Sequence, residues 1–379
     1  MKKKERHQDD AKDGCVSRFS FFIFHFSFKR KDLSGQSLDR MAWRRFRRNP
    51  LSIASLVVIA LFSLVAILGY LITPDHTPYC NQQYLELATL KPGSKATFLC
   101  IDPVQNTKGS ILTGRPLPYT AIPVERCSTV GDSVHVVPRA GEPYTIARDR
   151  VVKVHERTFL LGTDGYGRDV LSMIMIGSRV SLSVGFIAIL IALLIGITLG
   201  ALAAYYGGWV DNLILWLINV VWAIPTVLLV IAITFVLGKG FWQIFIAVGL
   251  TMWVDIARIV RGEVLSIKEK EYVEATRALG FSTFRTIFRH ILPNIAGAVV
   301  VIAASNFASA ILLEAGLSFL GIGVQPPMPS WGMMVKENYG YILLDSAYLA
   351  FLPGLAIMLV VLAFMLLANG LRDALDIKR

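Results

Sequence analysis

The chain has 379 residues, 54% of them hydrophobic and only 17% charged, with a mean hydropathy of +0.55. A soluble globular domain carries about 45–50% apolar and about 25% charged residues, so the composition excludes a disordered protein, a coiled coil and an ordinary soluble enzyme, and four cysteines exclude a disulfide scaffold. The net charge of +11 fits nucleic acid, an anionic membrane surface or cytoplasmic flanks of membrane spans, and the placement of the charges decides among them.

Residues 1–50 read as a basic cytoplasmic tail holding 14 Lys and Arg. Within it Phe19–Phe28 is too short to span and lacks a cleavage site. It reads as an interfacial segment, or the true start lies later, for instance at Met41. Arg44, Arg45, Arg47 and Arg48 directly precede an uncharged apolar run. That position makes them a topology signal rather than a nucleic-acid site.

A spanning helix needs about 20 mostly apolar residues. Six segments qualify: Leu51–Ile72, Ser181–Ala203, Leu213–Leu237, Phe241–Ala257, Asn294–Leu313 and Ala347–Ala368. Pro225 and Pro353 predict kinks in the third and sixth. Basic residues cluster before the first span, in 258–293 and after the sixth span. Both termini and the 258–293 loop are therefore expected in the cytoplasm, and the segment between the first two spans outside.

That external segment, 73–168, changes character. Prolines and glycines punctuate short runs of strand-like content: Ala96–Ile101, Ser133–Val137, Tyr144–Ala147 and Val151–His155. A small β-rich insert is predicted. Cys80, Cys100 and Cys127 lie here, and one disulfide among them is expected on an oxidising side, its pairing open.

The chain has no phosphate loop, no H-E-x-x-H, no C-x-x-C and no G-x-S-x-G. Its histidines are scattered, so no metal site is implied. His290, in a basic helical segment, reads as solvated. Asp255 is expected to pair with Arg258 one turn on. Glu314 is expected at an external span end, satisfied by water or a backbone donor.

The segment Glu269–Pro293, EKEYVEATRALGFSTFRTIFRHILP, is the most informative. Tyr272, Ala275 or Thr276, and Leu279 form an apolar stripe on a short helix. Gly280 falls where that helix should stop. Ser282 or Thr283 can cap a second helix with Phe284, Ile287, Phe288 and Ile291 on its apolar face. Pro293 is expected to open the next span. By pattern alone this is equally an interfacial linker or a docking element.

The same segment resembles the E-A-A-x3-G-x9-I-x-L-P loop of ABC importer permeases. Glu274, Ala275, Gly280, Leu292 and Pro293 match, while Thr276 and His290 depart. Leu161–Arg179 (LGTDGYGRDVLSMIMIGSR) resembles the G-T-D-x-x-G-R-D segment of the dipeptide/oligopeptide/nickel branch. Ala204–Asp211 (AYYGGWVD), Leu313–Gly332 (LEAGLSFLGIGVQPPMPSWG), Leu371–Asp376 (LRDALD) and the N-terminal WRRFRRN resemble further segments of that branch's C-type permease. The likeness covers roughly Met41–Arg379, interrupted by an insert longer than usual.

The resemblance implies an all-α polytopic inner-membrane protein of ABC importer permease type. Six transmembrane helices are expected, with the β-rich insert between the first two. The expected divisions are a tail at 1–50, a first span at 51–72, the insert at 73–168, the permease domain at 169–371 and a cytoplasmic tail at 372–379. Tyr272, Glu274, Ala275, Thr276, Leu279 and Gly280 would dock an ATPase. Gly162, Thr163, Asp164, Gly167, Arg168, Asp169, Glu314, Pro327, Ser330, Trp331 and Gly332 are family signature with structural roles. Asp169 is expected to cap a helix, Trp331 to anchor at the interface, and Gly196 and Gly200 to permit close helix approach.

Expected partners are a second permease of the branch, two ATP-binding subunits, an external solute-binding protein and membrane lipid, with no nucleic acid. The chain itself is expected to be non-catalytic and to bind no cofactor, ATP and Mg²⁺ residing on partner subunits. The expected cargo is a di- or oligopeptide, with nickel, glutathione or an antibiotic peptide as alternatives within the branch. An ATP-independent carrier or channel, and an anchored module acting through its insert, are the rival classes.

Overall fold

The computed structural model describes residues 38–375 apart from 104–108, 111–112 and 239. The aromatic run Phe19–Phe28 lies outside the described residues.

An amphipathic helix α1 (Leu38–Arg48) ends on Arg45, Arg47 and Arg48. Asn49 then turns the chain. Its side chain accepts from the Leu51 N–H at 3.0 Å, and Pro50 supplies the first residue of α2 (Pro50–Leu68). An Asn cap followed by proline starts a helix well, because proline has no N–H to leave unpaired there. Only Ser52, Ser55 and Ala66 of α2 are buried, while Val57, Leu61 and Leu64 are exposed. An apolar exposed face is what a lipid-facing helix presents.

The insert forms one antiparallel sheet. Its strands are β1 (Ser94–Pro103), β2 (Tyr119–Val130), β3 (Ser133–Pro138), β4 (Tyr144–Ala147) and β5 (Val151–Phe159), in the order β4-β3-β2-β1-β5. The four strand-like runs fall inside β1, β3, β4 and β5. The longest strand, β2, was not expected, because Pro123 reads as a strand breaker. Pro123 is tolerated where β3 ends, since Val124 already pairs with the last β3 residue, Pro138. One face of the sheet buries Leu99, Val124, Val134 and Val136, and the other packs Phe98 on Tyr84, Leu87 and Phe159.

The expected disulfide is absent: Cys80, Cys100 and Cys127 are free. Cys100 pairs with Ala121 across β1 and β2. Cys127 lies six residues further along β2, about 20 Å at strand rise, far beyond the roughly 7 Å that a disulfide can bridge. Cys80 packs in a different cluster, with Val170, Met173 and Trp331.

Beyond the sheet, α3 (Val170–Tyr206) runs for 37 residues, about 54 Å. It is followed by α4 (Gly208–Trp222), α5 (Thr226–Leu237), α6 (Phe241–Lys268), the short α7 (Glu271–Ala278) and α8 (Thr283–Thr286), then α9 (Leu292–Phe319), α10 (Trp331–Asn338) and α11 (Tyr348–Leu375). Among the described residues five helices are long and apolar enough to cross a membrane. The pair α4–α5 makes a sixth only if taken as one span, since it bends by 92° at its break. The kink expected at Pro225 is thus a full interruption. Helix α11 continues through Pro353.

Helices α3 and α6 form the central pair. A Cβ on Gly196 would lie 2.8 Å from the Trp253 carbonyl, and one on Gly200 would lie 2.5 Å from the Ala257 carbonyl. The two glycines therefore set the closeness of the backbones, as a small-residue pair does in membrane helices.

Candidate functional site

At one end of the long helices, α7 and α8 lie beneath the bundle. Helix α7 stops in a Schellman arrangement: the Gly280 N–H donates to the Arg277 carbonyl at 2.9 Å and the Phe281 N–H to the Thr276 carbonyl at 3.0 Å. Gly280 takes φ +74° with open space around its Cα, so the requirement for glycine is conformational. Ser282 caps α8, accepting from the Arg285 N–H.

The faces of α7 correct the sequence reading in one respect. Val273 and Thr276 are buried, whereas Glu274, Ala275 and Leu279 are exposed and Tyr272 is half-buried. Thr276 therefore points inward and cannot itself dock a partner. Its hydroxyl donates to the Val273 carbonyl at 2.7 Å and lies 3.4 Å from the hydroxyl of Thr286 on α8. The outward edge of Ala275 and Leu279 is left uncovered.

The second helix also differs from expectation. Pro293 stands in the first turn of α9 as expected, but the helical path is not broken before it. A π-helical turn, Ile287–Ile291, joins α8 to α9. The wider turn accommodates Pro293, whose ring would otherwise clash with the preceding carbonyls. Ile287 and Ile291 face inward, while Phe284 and Phe288 stack outward at 4.3 Å between centroids. His290 is not freely solvated: it is half-buried, its ring 5.7 Å from that of Phe281. It occupies the apolar position that the family pattern gives to Ile.

Paired side chains brace this end. Arg261 donates to both Asp211 oxygens at 2.6 and 2.7 Å, tying α6 to α4. Lys268 donates to the Ala204 carbonyl at 3.0 Å, tying it to α3. The Arg277 guanidinium lies over the Tyr205 ring at 5.0 Å.

At the opposite end the signature residues form a buried scaffold. Gly162 and Gly167 take positive φ and approach other backbone closely, Gly162 at the Leu90 carbonyl and Gly167 at that of Tyr84. The Thr163 hydroxyl accepts from the Leu90 N–H at 2.8 Å and donates to the Leu87 carbonyl. Arg168 donates to Asp164 at 2.6 Å, to Glu337 on α10 at 2.5 Å and to Asn81 at 3.3 Å. Burial works against its charge, but Asp164 and Glu337 outweigh that and hold it protonated. Asp169 caps α3, accepting from the Ser172 N–H at 3.3 Å, and is paired with Arg157 of β5 at 3.4 Å. Burial raises the Asp169 carboxyl above the ordinary carboxylate range.

Glu314 is fully buried, not water-exposed at a span end. Ser318 donates to it at 2.7 Å and Ser181 of α3 at 3.2 Å. The Ser330 hydroxyl donates to that of Ser318 at 3.4 Å and also caps α10. Trp331 is buried rather than interfacial, donating from Nε1 to the Ile174 carbonyl at 3.0 Å. A Cβ on Gly332 would meet the Ala315 carbonyl at 2.5 Å. Pro327 is exposed on the hairpin between α9 and α10.

The sequence missed a third grouping inside the bundle. Asp255 does not pair with Arg258. That guanidinium lies 4.1 Å over the Trp222 ring and donates to Asn219 at 3.0 Å. Asp255 instead faces a cavity shared with Asn306. A lone acid in a span was the available signal.

Residues 196–379 match the family described as binding-protein-dependent transport system inner membrane component, and residues 37–92 match the N-terminal TM domain of oligopeptide transport permease C. The glutathione transport system permease protein GsiD of Pectobacterium atrosepticum is 42% identical over 61% of this chain and 76% of its own length. The dipeptide transport system permease protein DppC of Alkalihalophilus pseudofirmus is 44% identical over 57% of this chain and 71% of its own. Among solved structures, a chain of the inward-facing MetNI methionine ABC transporter aligns with TM-score 0.45 and 20% identity over 55% of this chain and 98% of that one. The chain belongs to the inner-membrane components of binding-protein-dependent transport systems, in the peptide/nickel branch of ABC permeases. It is an integral inner-membrane permease subunit.

Proposed function

We propose that this chain is the C-type permease of an importer for di- and oligopeptides. It works with a second permease of the branch, two ATP-binding subunits and an external solute-binding protein. The relatives named for dipeptide and glutathione transport support this cargo, and glutathione is itself a short peptide. ATP and Mg²⁺ belong to the partner subunits, and this chain moves cargo without catalysing a reaction. Both termini and α7–α8 lie in the cytoplasm, with the sheet outside and α4–α5 forming one interrupted span.

The observation that carries the coupling role is the exposed edge of α7, where Glu274, Ala275 and Leu279 stand uncovered just before the Gly280 stop. An ATPase groove closing on that edge would displace α7. The buried Thr276–Thr286 contact and the unbroken passage from α8 to α9 would carry the displacement into the span. ATP can drive the cycle only by favouring one permease state over the other.

Two variants test the docking role. Glu274→Lys and Gly280→Val are expected to insert normally, to lose uptake and to retain less ATPase in pull-down. Normal uptake and ATPase retention in both would overturn it. Orientation is tested separately with Glu142→Cys, at an exposed site in the insert. A membrane-impermeant maleimide should label it in intact cells, and labelling only after permeabilisation would reverse the topology.

A further inference from the structure

The cavity that Asp255 faces has a volume of about 460 Å³, within the range of small-ligand sites. Its walls come from α5, α6 and α9, and are mostly apolar side chains such as Met252, Leu313 and Leu317. Against them stand a few polar groups. Asp255 is exposed while Thr251–Val254 before it and Ile256 and Ala257 after it are buried. Neither a hydrogen bond nor an ion pair holds its carboxylate among the described residues, because Trp222 and Asn219 hold Arg258.

Two donors complement that acid. Asn306 is 5% exposed, and its Nδ2 has no hydrogen-bond partner. The N-terminus of α5, twelve residues long, opens on the same cavity at Thr226 and Val227, and no side chain caps it. A helix N-terminus carries partial positive charge, and interrupted membrane helices present such ends to anionic groups of a substrate.

The three features lie at one depth. Thr226 is eleven residues from the end of α5 at Leu237, Asp255 is fourteen from the start of α6 at Phe241, and Asn306 is thirteen from the end of α9 at Phe319. At helix rise these are about 17, 21 and 20 Å. Set against a hydrocarbon core about 30 Å thick, all three lie inside the membrane. An unpaired carboxylate there is costly to keep without a function.

We propose that this cavity is a mid-membrane binding site for a zwitterionic short peptide, with Asp255 receiving its terminal ammonium and Asn306 and the α5 N-terminus receiving its carboxylate. The site rests on the peptide reading above and adds the two groups by which the spans recognise such a cargo. A divalent metal fits it poorly: neither His, Cys nor a second acid lines the cavity, and no cluster of metal-ligating side chains occurs among the described residues.

The test uses the complete transporter in proteoliposomes and measures uptake of dialanine, N-acetyl-dialanine and dialanine amide. Asp255→Asn is expected to lower dialanine uptake roughly tenfold or more, the size of effect that losing a close charge pair produces. Uptake of the N-acetyl peptide, which has no ammonium, should fall much less, subunit assembly should be unchanged, and Asp255→Glu should retain dialanine uptake. Asn306→Leu should lower uptake of dialanine but not of its amide. Should Asp255→Asn fail to assemble, Asp255→Cys decides. A negatively charged methanethiosulfonate should restore uptake there, and a positively charged one should not, against wild type treated in the same way. Wild-type-rate dialanine uptake by Asp255→Asn, or equal rescue by both reagents, overturns the site and leaves the peptide reading standing. A wild-type complex that imports no peptide overturns both.

Discussion

The hydroxyls of Thr276 and Thr286 meet at 3.4 Å, both buried, where α7 crosses α8. This contact separates two roles that the sequence places on one short helix. Thr276 holds α7 against the permease, and Leu279, three residues on, faces away with 72% of its surface exposed.

The two positions should therefore respond differently. Thr276→Ala removes a hydrogen bond and a methyl group, and is expected to cost about 1 kcal/mol of stability while ATPase retention stays near normal. Leu279→Asp removes no buried contact and should leave the unfolding temperature unchanged, yet lower ATPase retention and uptake. Thermal unfolding in detergent and pull-down of the ATPase subunits check both. The reverse pattern would place the docking face on the wrong side of α7.

Gly200 tests the central helix pair. A Cβ there would meet the Ala257 carbonyl at 2.5 Å and the Ala257 Cα at 3.1 Å, both backbone, which cannot swing aside as a side chain can. Gly200→Leu is expected to separate α3 from α6, with an overpacking cost of about 1–3 kcal/mol. Gly262, on α6 itself, has open space around it. Gly262→Ala is expected to be neutral or mildly stabilising, since alanine is the better helix former by roughly 1 kcal/mol. Thermal melts of the two purified variants should move in opposite directions, or at least separate clearly.

The long apolar runs made the helical, many-span character legible, because each run alone exceeds what a soluble core helix needs. Helix ends were less legible. Helix α6 runs eleven residues past Ala257, to Lys268, since hydropathy reports where lipid stops and not where hydrogen bonding stops. On α7 both Tyr272–Ala275–Leu279 and Val273–Thr276 have helical spacing, so periodicity could not say which stripe the permease covers. For Asp255 the local rule favoured Arg258, but Trp222, distant in sequence, won the guanidinium. Glu314 and Trp331 looked interfacial because each lies just past the end of an apolar run or in the proline-rich stretch that follows it. Only the tertiary fold brings Ser181 and the Ile174 carbonyl of α3 against them.

The cysteines give a chemical readout of the insert. Denatured, unreduced protein should alkylate fully at Cys80, Cys100 and Cys127. In the native protein Cys127, which is half-buried, should react first. Burial pushes the Cys80 thiol up, with Asp75 and Asp169 adding to the effect, and burial raises Cys100 as well. A raised thiol pKa leaves less thiolate at neutral pH, and thiolate is the reactive form. Cys80 and Cys100 should therefore stay slow to alkylate at neutral pH while the protein is folded. Mass spectrometry of alkylated peptides follows each site, and a peptide pair linked through sulfur would refute the free-thiol arrangement.

Arg168 is the sharpest test of the scaffold on the sheet side of the molecule. One buried guanidinium serves Asp164 in the turn before α3, Glu337 on α10 and Asn81 in the insert. Three separate segments thus meet at a planar group whose donors point in fixed directions. Lysine cannot reproduce this, since its ammonium is a single point on a flexible stem. Alanine leaves two carboxylates without their counter-ion, Asp164 with 2% of its side chain exposed and Glu337 with 16%. Removing one partner of a buried pair typically costs about 3–5 kcal/mol. Arg168→Ala is expected to lose stability on that scale, and Arg168→Lys somewhat less. Adding Glu337→Gln to Arg168→Ala should recover part of the loss, because one stranded charge is removed. Limited proteolysis should show the insert cut faster in Arg168→Ala, as the link through Asn81 is gone. The double variant decides between two readings of Arg168. Recovery identifies stranded charge as the cost, whereas a further fall would mean that Glu337 is held chiefly by partners other than Arg168.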